Sequence, residues 1–417
     1  MREGYKITEL GEIPVEWEIN SLQDISWKIG DGLHGTPKYS ESGDYYFING
    51  NNLSNGNIIF SNETKKVDME QFLKYKKELT NSTVFISLNG TIGNLAYYNS
   101  EKIVLGKSCG YAKLKSIVNK NYIFHTLNNK KVQQYFYKEL TGSTIKNLSL
   151  ETLRKTPIAI PPIYEQQKIA DILSTVDSRI EQTVSLIEKT KKLKKGLMLS
   201  LLTKGIGHTE FKETEVGVIP MKWEVKQLKD LSNIKRGASP RPIKDTKWFS
   251  QDKNVGWIRI SDVSRTKKYL SETQQYLSND GIEKSRLVKK DDLIMSICAT
   301  VGKPIILKME ACIHDGFVHF SELNNERLNV EFLYYFLVNH EDSFKRKGQT
   351  GTQANINTSI VGLTEIPLPN ISEQKRIAVI LASVDEKIDE YELKKEKIQQ
   401  LKQGLMQKLL TGKIRTI

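Results

Sequence analysis

Apolar residues return at every seventh position along two long stretches of the chain. In Glu165–Thr203, Ile169 and Val176 lie seven apart, as do Leu173, Ile180 and Ile187, and Leu201 rejoins that second row. In Glu373–Thr411, Ile377, Val384, Tyr391, Ile398 and Leu405 keep the period, with Leu381, Ile388 and Leu409 as companions. Both stretches lack proline and nearly lack glycine. A sustained heptad predicts a coiled-coil seam rather than a broad core face. Lys194, Lys395 and Lys402 fall along this seam and are expected to interrupt it. Each stretch follows a proline-rich entry, "IAIPPIYEQQ" or "IPLPNISEQK", which brings the chain in extended form. At about 1.5 Å per residue each helix would run roughly 58 Å.

The remaining pattern is shorter in period. Runs such as "STVFISL", "GWIRI" and "DLIMSICAT", set between Gly and Asn turns, predict strands. "NYIFHTLNNKKVQQYFYKEL" and "VEFLYYFLVNHEDSFKRK" predict helices whose aromatic face belongs to a core. Residues 20–160 and 226–367 therefore read as mixed α and β.

The chain also repeats itself. "LGEIPVEWEINSLQDI" at 10–25 returns as "VGVIPMKWEVKQLKDL" at 216–231. Gly11, Ile13, Pro14, Trp17, Glu18, Leu22 and Asp24 answer to Gly217, Ile219, Pro220, Trp223, Glu224, Leu228 and Asp230. Ser87, Thr91 and Gly93 have a weaker echo in Ser296, Thr300 and Gly302, and "KKGLMLSLLTKGI" in "KQGLMQKLLTGKI". Such a repeat predicts a pseudo-dimer on one chain. The long helices could pack separately, each on its own domain, but the repeat favours their pairing with each other. The second globular segment connects the end of one helix to the start of the other, so a pair would run antiparallel. The two "GxIPxxWE" segments would then build the same junction twice.

Composition narrows the chemistry. The chain has 417 residues, 38% hydrophobic and 27% charged, as expected of two or three folded domains. Apolar runs are too short for a membrane span, and "MREGYKITEL" lacks a signal-peptide core. Cys109, Cys298 and Cys312 show no Cys-x-x-Cys pairing, so neither disulfides nor a zinc knuckle is expected, and a cytoplasmic location is. The net charge of +13 and pI near 9.2 favour a polyanionic partner. Catalytic signals are missing. No methyltransferase tetrapeptide or glycine-rich cofactor loop stands out, and the histidines lack metalloprotease spacing. "LGKSCG" imitates the end of a phosphate loop, but Glu101 replaces its leading glycine. His314 with Asp315 reads as a strand-end pair.

Polar, glycine-hinged loops remain as candidates for DNA contact: "KIGDGLHGTPKYSESGDYYFINGNN" and "IKRGASPRPIKD", with "GSTIKNLS" and "GTQANINTS" ahead of the long helices. Lys and Arg contact phosphates, Arg reads guanine, and Asn or Gln reads adenine. The candidates in the first half are Lys28, His34, Thr36, Lys38, Asn49, Asn51, Lys107, Lys146 and Asn147. In the second half they are Arg236, Ser239, Arg241, Lys244, Arg259, Arg265, Lys303, Gln353 and Asn355.

The paired "GxIPxxWE" junctions, the proline entries leading into "EQ" and "IAxIL", and the closing "GLMxxLLT" resemble the specificity (S) subunit of type I restriction–modification systems, over essentially the whole chain. The resemblance implies an α+β protein: two mixed α/β target recognition domains joined by two long antiparallel helices in a coiled coil, with a pseudo-twofold repeat. The implied segments are 1–160 (recognition domain 1), 161–206 (first long helix), 207–370 (recognition domain 2) and 371–417 (second long helix). Such a subunit is not itself an enzyme. It reads double-stranded DNA with a bipartite target and binds two methyltransferase (M) and also restriction (R) subunits. S-adenosylmethionine, ATP and Mg are expected on those partners, with no cofactor or metal here. A recognition subunit of a type IIB-like enzyme and a coiled-coil scaffold without DNA affinity are the alternatives.

Overall fold

Both heptad stretches are helical in a computed structural model that describes residues 3–142, 146–348 and 356–416. The first long helix is Ile163–Thr203 and the second Ile371–Leu409. The first starts directly after Pro162, and the second is capped by Asn370, whose side chain accepts from the Glu373 N–H at 2.9 Å. The chain divides into two compact units, Met1–Val184 with Leu393–Ile417, and Ser185–Glu392. Each long helix contributes to both units.

In the first unit, an antiparallel sheet takes the order Leu95–Tyr97, Thr83–Ser87, Cys109–Leu114, Ser26–Gly30. A second sheet sets Tyr45–Ile48 between Ile103–Leu105, parallel to it, and Lys66–Val67, antiparallel. Tyr122, Phe124 and Phe136 are buried in the main core with Ile169 and Leu173 of the first long helix and Met406 and Leu409 of the second. The expected helix over "NYIFHTLNNKKVQQYFYKEL" is two helices, Lys120–Leu127 and Lys130–Lys138. Asn129 breaks it by capping the second, accepting from the Lys131 N–H at 2.9 Å.

The second unit has a five-stranded sheet in the order Asn233–Arg236, Phe317–Ser321, Leu293–Ser296, Pro304–Leu307, Tyr269–Leu270. A four-stranded sheet runs Gln275–Tyr276, Gly256–Ile258, Ala311–Ile313, Arg286–Val288. The expected strand "GWIRI" ends at Ile258, because Arg259 opens the short helix Ile260–Arg265. Its backbone N–H donates to Asp262 Oδ2 at 2.8 Å, an N-terminal cap. "DLIMSICAT" is extended only over Leu293–Ser296.

The same joint stands in each unit. Tyr5–Thr8 pairs with Gly11–Pro14, and Phe211–Thr214 pairs with Gly217–Pro220 in the matching register. The following indole donates to a glutamate in the first turn of a long helix, Trp17 to Glu165 and Trp223 to Glu373, each at 3.1 Å. Both tryptophans and both glutamates are buried. The next residue bolts the globular part on. Gln166 Oε1 accepts from the Asn119 N–H, and Gln374 Oε1 from the Asn329 N–H, each at 2.8 Å. Gly412 and Gly205 adopt left-handed φ of 66°, where a Cβ would strike Pro14 in one unit and Trp223 with Glu373 in the other. The third partner of the glutamate differs. Arg415 Nε donates to Glu165 at 2.8 Å, whereas His208 Nε2 lies 2.8 Å from Glu373.

The heptad rows face inward within the units. Ile169, Leu173, Ile187, Leu201, Ile377, Leu381, Ile388 and Leu409 are buried, and Val176, Ile180, Val384, Tyr391, Ile398 and Leu405 are half-buried. Two of the expected interruptions are ion pairs instead. Lys402 bonds Asp177 in the first unit and Lys194 bonds Asp385 in the second. The aliphatic stem of lysine packs in the row while its ammonium reaches a carboxylate on the other helix. In the first unit Glu165 meets Arg415 and Asp177 meets Lys402, so the two segments run in opposite directions there.

Candidate nucleic-acid interface

Parallel strand pairs are the geometric origin of a polar rim in each unit. In the first, Tyr45–Ile48 and Ile103–Leu105 point the same way, so the loops that follow them emerge at one edge. Those loops are knitted together: Ser108 Oγ donates to Asn49 Oδ1, and the Gly50 N–H donates to Ser108 Oγ, both at 2.9 Å. Thr91 Oγ1 donates to the Gly50 carbonyl at 2.9 Å, and Asn147 bridges Asn89 and Thr141. The Leu33 N–H donates to the Leu105 carbonyl at 2.7 Å, which carries the 31–36 loop alongside. Gly32 is required for that approach, since a Cβ there would overlap the Leu105 and Gly106 carbonyls.

The structure thus gathers His34, Asn49, Asn51, Lys107, Lys146 and Asn147 on one rim, with Thr36 exposed where the 31–36 loop leaves it. His34 Nε2 lies 2.7 Å from Asp31 Oδ2. Lys38 is elsewhere: its N–H donates to Gln71, and the adjoining Tyr39 pairs with Val67 at the far end of the three-stranded sheet. Lys28 is exposed mid-strand opposite Lys113.

In the second unit, which also pairs Tyr269–Leu270 parallel with Pro304–Leu307, the strands Gly256–Ile258 and Ala311–Ile313 run parallel, and Arg259 and His314–Gly316 follow them. Asp315 is the centre of this rim. Its carboxylate accepts from Ser239 Oγ and from Arg241 Nη2, both at 2.9 Å. Its carbonyl accepts from Arg236 Nε at 2.7 Å, and the Arg236 carbonyl accepts from Arg286 Nε at 2.6 Å. Partial burial works against ionisation of Asp315, but the Ser239 bond and the charges of Arg241 and Arg236 hold its pKa below the usual value. Burial, with Arg259 nearby, pushes His314 down and favours the neutral ring. Its Nδ1 accepts from the Gly316 N–H at 2.8 Å.

Arg236, Ser239, Arg241 and Arg259 are therefore brought together, with Lys244 exposed on the same loop as Arg241. Arg265 and Lys303 form a neighbouring group around the helix Ile260–Arg265. Arg265 Nε donates to the Ser261 carbonyl at 3.0 Å and Lys303 Nζ to the Ser264 carbonyl at 3.2 Å. Gln353 and Asn355 lie outside the described residues. Sequence reasoning missed Ser108, Arg286 and Asp315 as rim organisers. Asp315 follows an apolar strand as a plain turn residue would, and its partners lie 74–79 residues away. Among the described residues, no group of acidic, His and Cys side chains is arranged to hold a metal ion, and no helix is long and apolar enough to cross a membrane.

These features can be set beside known proteins. A family model described as "Type I restriction modification DNA specificity domain" matches residues 14–191 and again 220–403. The MjaVIII type I restriction enzyme specificity subunit of Methanocaldococcus jannaschii is 31% identical over 81% of this chain and 82% of its own length. The MjaIX specificity subunit of the same organism is 23% identical over 99% and 96%. Among solved structures, the S subunit of a type I restriction–modification system from M. genitalium superposes with a TM-score of 0.59 at 16% identity, over 98% of this chain and 99% of that one. A chain from a study of complex assembly and conformational transition of the type I R-M system gives 0.60 at 14% identity, over 96% and 99%. With the doubled joint and a polar rim in each half, the twofold match leaves one assignment: the chain belongs to the type I restriction–modification DNA specificity domain family.

Proposed function

We propose that this chain reads a bipartite DNA target for a type I restriction–modification complex, each unit reading one half. The observation that carries this reading is a pair of rims built alike, on the C-terminal ends of parallel strands, but furnished with different side chains. One scaffold with two different readers suits a target in two different parts. Phosphate contacts come from exposed lysines such as Lys107, Lys146 and Lys244, and base contacts from the Asn and Arg side chains. Chemistry belongs to partners: two methyltransferase subunits using S-adenosylmethionine, and restriction subunits using ATP and Mg. This subunit supplies no catalytic group.

The two long helices pair antiparallel in a coiled coil along their length, relate the halves by a pseudo-twofold axis, set the spacer and dock the methyltransferases. Antiparallel ion pairs inside each unit support this. Modified-base sequencing of cells with the gene intact and deleted tests the function. A split adenine-methylated motif that vanishes on deletion is expected. An unchanged methylome, together with purified complexes that show no DNA binding, would overturn it. Removing one heptad from the helices is expected to change the spacer and leave both half-sites alone.

A further inference from the structure

The two rims differ in chemical kind. The first is knitted together by amides and hydroxyls, with Asn49, Ser108, Thr91 and Asn147 in the bonded part and Lys107 and Lys146 exposed beside them. The second sets Arg236 and Arg241 on one aspartate, Asp315, with Arg286 on the Arg236 carbonyl and Arg259 beside His314. In that cluster Arg241 is largely exposed, at 69%, yet one of its terminal nitrogens is fixed on Asp315 Oδ2 at 2.9 Å. Asp315 is itself fixed, because Ser239 holds its other oxygen at 2.9 Å and Arg236 holds its carbonyl at 2.7 Å. The residue before it is closely packed, since a Cβ at Gly237 would overlap the His314 carbonyl.

An unrestrained arginine loses much rotamer freedom on binding. One steered by a carboxylate loses less, and its remaining N–H groups point away from that carboxylate in a set plane. Two parallel N–H donors in a plane match the O6 and N7 acceptors of guanine in the major groove, a pattern adenine and thymine do not present. A lysine could meet a phosphate here but could not reproduce the fork.

We infer that Arg241 reads a guanine in the half-site of the second unit, and that Asp315 is the positioning residue that makes this reading specific. The inference rests on the DNA-reading function proposed above. Asp315 touches no base. Its effect is on discrimination at one base pair rather than on general attraction to DNA.

The test is selection from a pool of randomised duplexes. It uses the full chain expressed with the genes beside it, alongside the variants Arg241→Lys, Asp315→Asn and Asp315→Glu. The unaltered chain is expected to enrich a motif with a guanine in the half assigned to the second unit. Arg241→Lys and Asp315→Asn should each lower the preference for that guanine by about tenfold to a hundredfold. The other positions and the salt dependence should stay unchanged, and Asp315→Glu should recover part of the preference. Melting curves of each variant separate this from misfolding, and Arg241→Lys, at an exposed site, keeps the test open if the aspartate variants are unstable. A motif unaffected by Arg241→Lys overturns the inference and leaves the DNA-reading function standing. If the unaltered complex enriches no motif, both fall.

Discussion

Trp17 donates its indole N–H to Glu165, 148 residues later in the chain, at 3.1 Å and fully out of water. Arg415 closes the site from the other end of the sequence, with Nε 2.8 Å and Nη2 3.0 Å from the two oxygens of the same carboxylate. Without the guanidinium, Glu165 would be a buried charge with only two neutral donors, the Trp17 indole and a long bond from the Thr416 N–H at 3.4 Å. Arg415→Ala is expected to destabilise the first unit by about 3 kcal/mol, measured by denaturant unfolding. A loss below about 1 kcal/mol would place Arg415 with surface pairs of little worth.

The two seam lysines should not be equal. Asp385 accepts from Tyr335 Oη at 2.8 Å as well as pairing with Lys194. Asp177 has His125 Nδ1 at 3.8 Å, beyond bonding distance, beside Lys402. Lys402→Leu therefore strands its aspartate more completely than Lys194→Leu does. Hydrogen exchange should show faster opening of the first unit in the former variant than of the second unit in the latter. Replacing Lys402 and Asp177 together by leucine should restore most of the loss.

His125 predicts an acid limb. Burial, helped by the charge of Lys402, pushes its pKa down to about 3, so the folded ring stays neutral where an unfolded one, near 6.5, takes a proton. Between those values the unfolded state binds more protons, and stability falls as pH falls. The loss is expected to be on the order of 4 kcal/mol across that window. His125→Phe should flatten this part of the stability–pH curve, and an unchanged curve would refute the assignment.

Lys107 is exposed on the first rim, between strands Ile103–Leu105 and Cys109–Leu114. If it meets a phosphate, Lys107→Ala should weaken binding to every duplex alike and reduce the slope of log affinity against log salt by about one. Titrations at several salt concentrations check this, and a change confined to one base position would make it a base contact instead.

The scaffold was legible in the sequence because its signals are local and periodic. Heptad rows, proline entries and the doubled Trp motif each lie within a few tens of residues. Local pattern also misled. Asn128 and Asn129 read as part of one helix but end it with a cap, and Lys194 and Lys402 read as flaws in a seam although their partners sit on the other helix. The rims were half legible. Glycine-hinged loops announced Arg236 and Arg241, but the aspartate that organises them comes from a strand end far along the chain, and Lys38 lies in a promising loop that turns away.

The joints use tryptophan, glutamate, glutamine and proline, and among the described residues no rim side chain takes part in them. Substitutions at Asn51, Arg241 or their neighbours leave those bonds untouched. If the rims read the target as proposed, such changes would alter the vocabulary of the molecule without making it relearn how to fold.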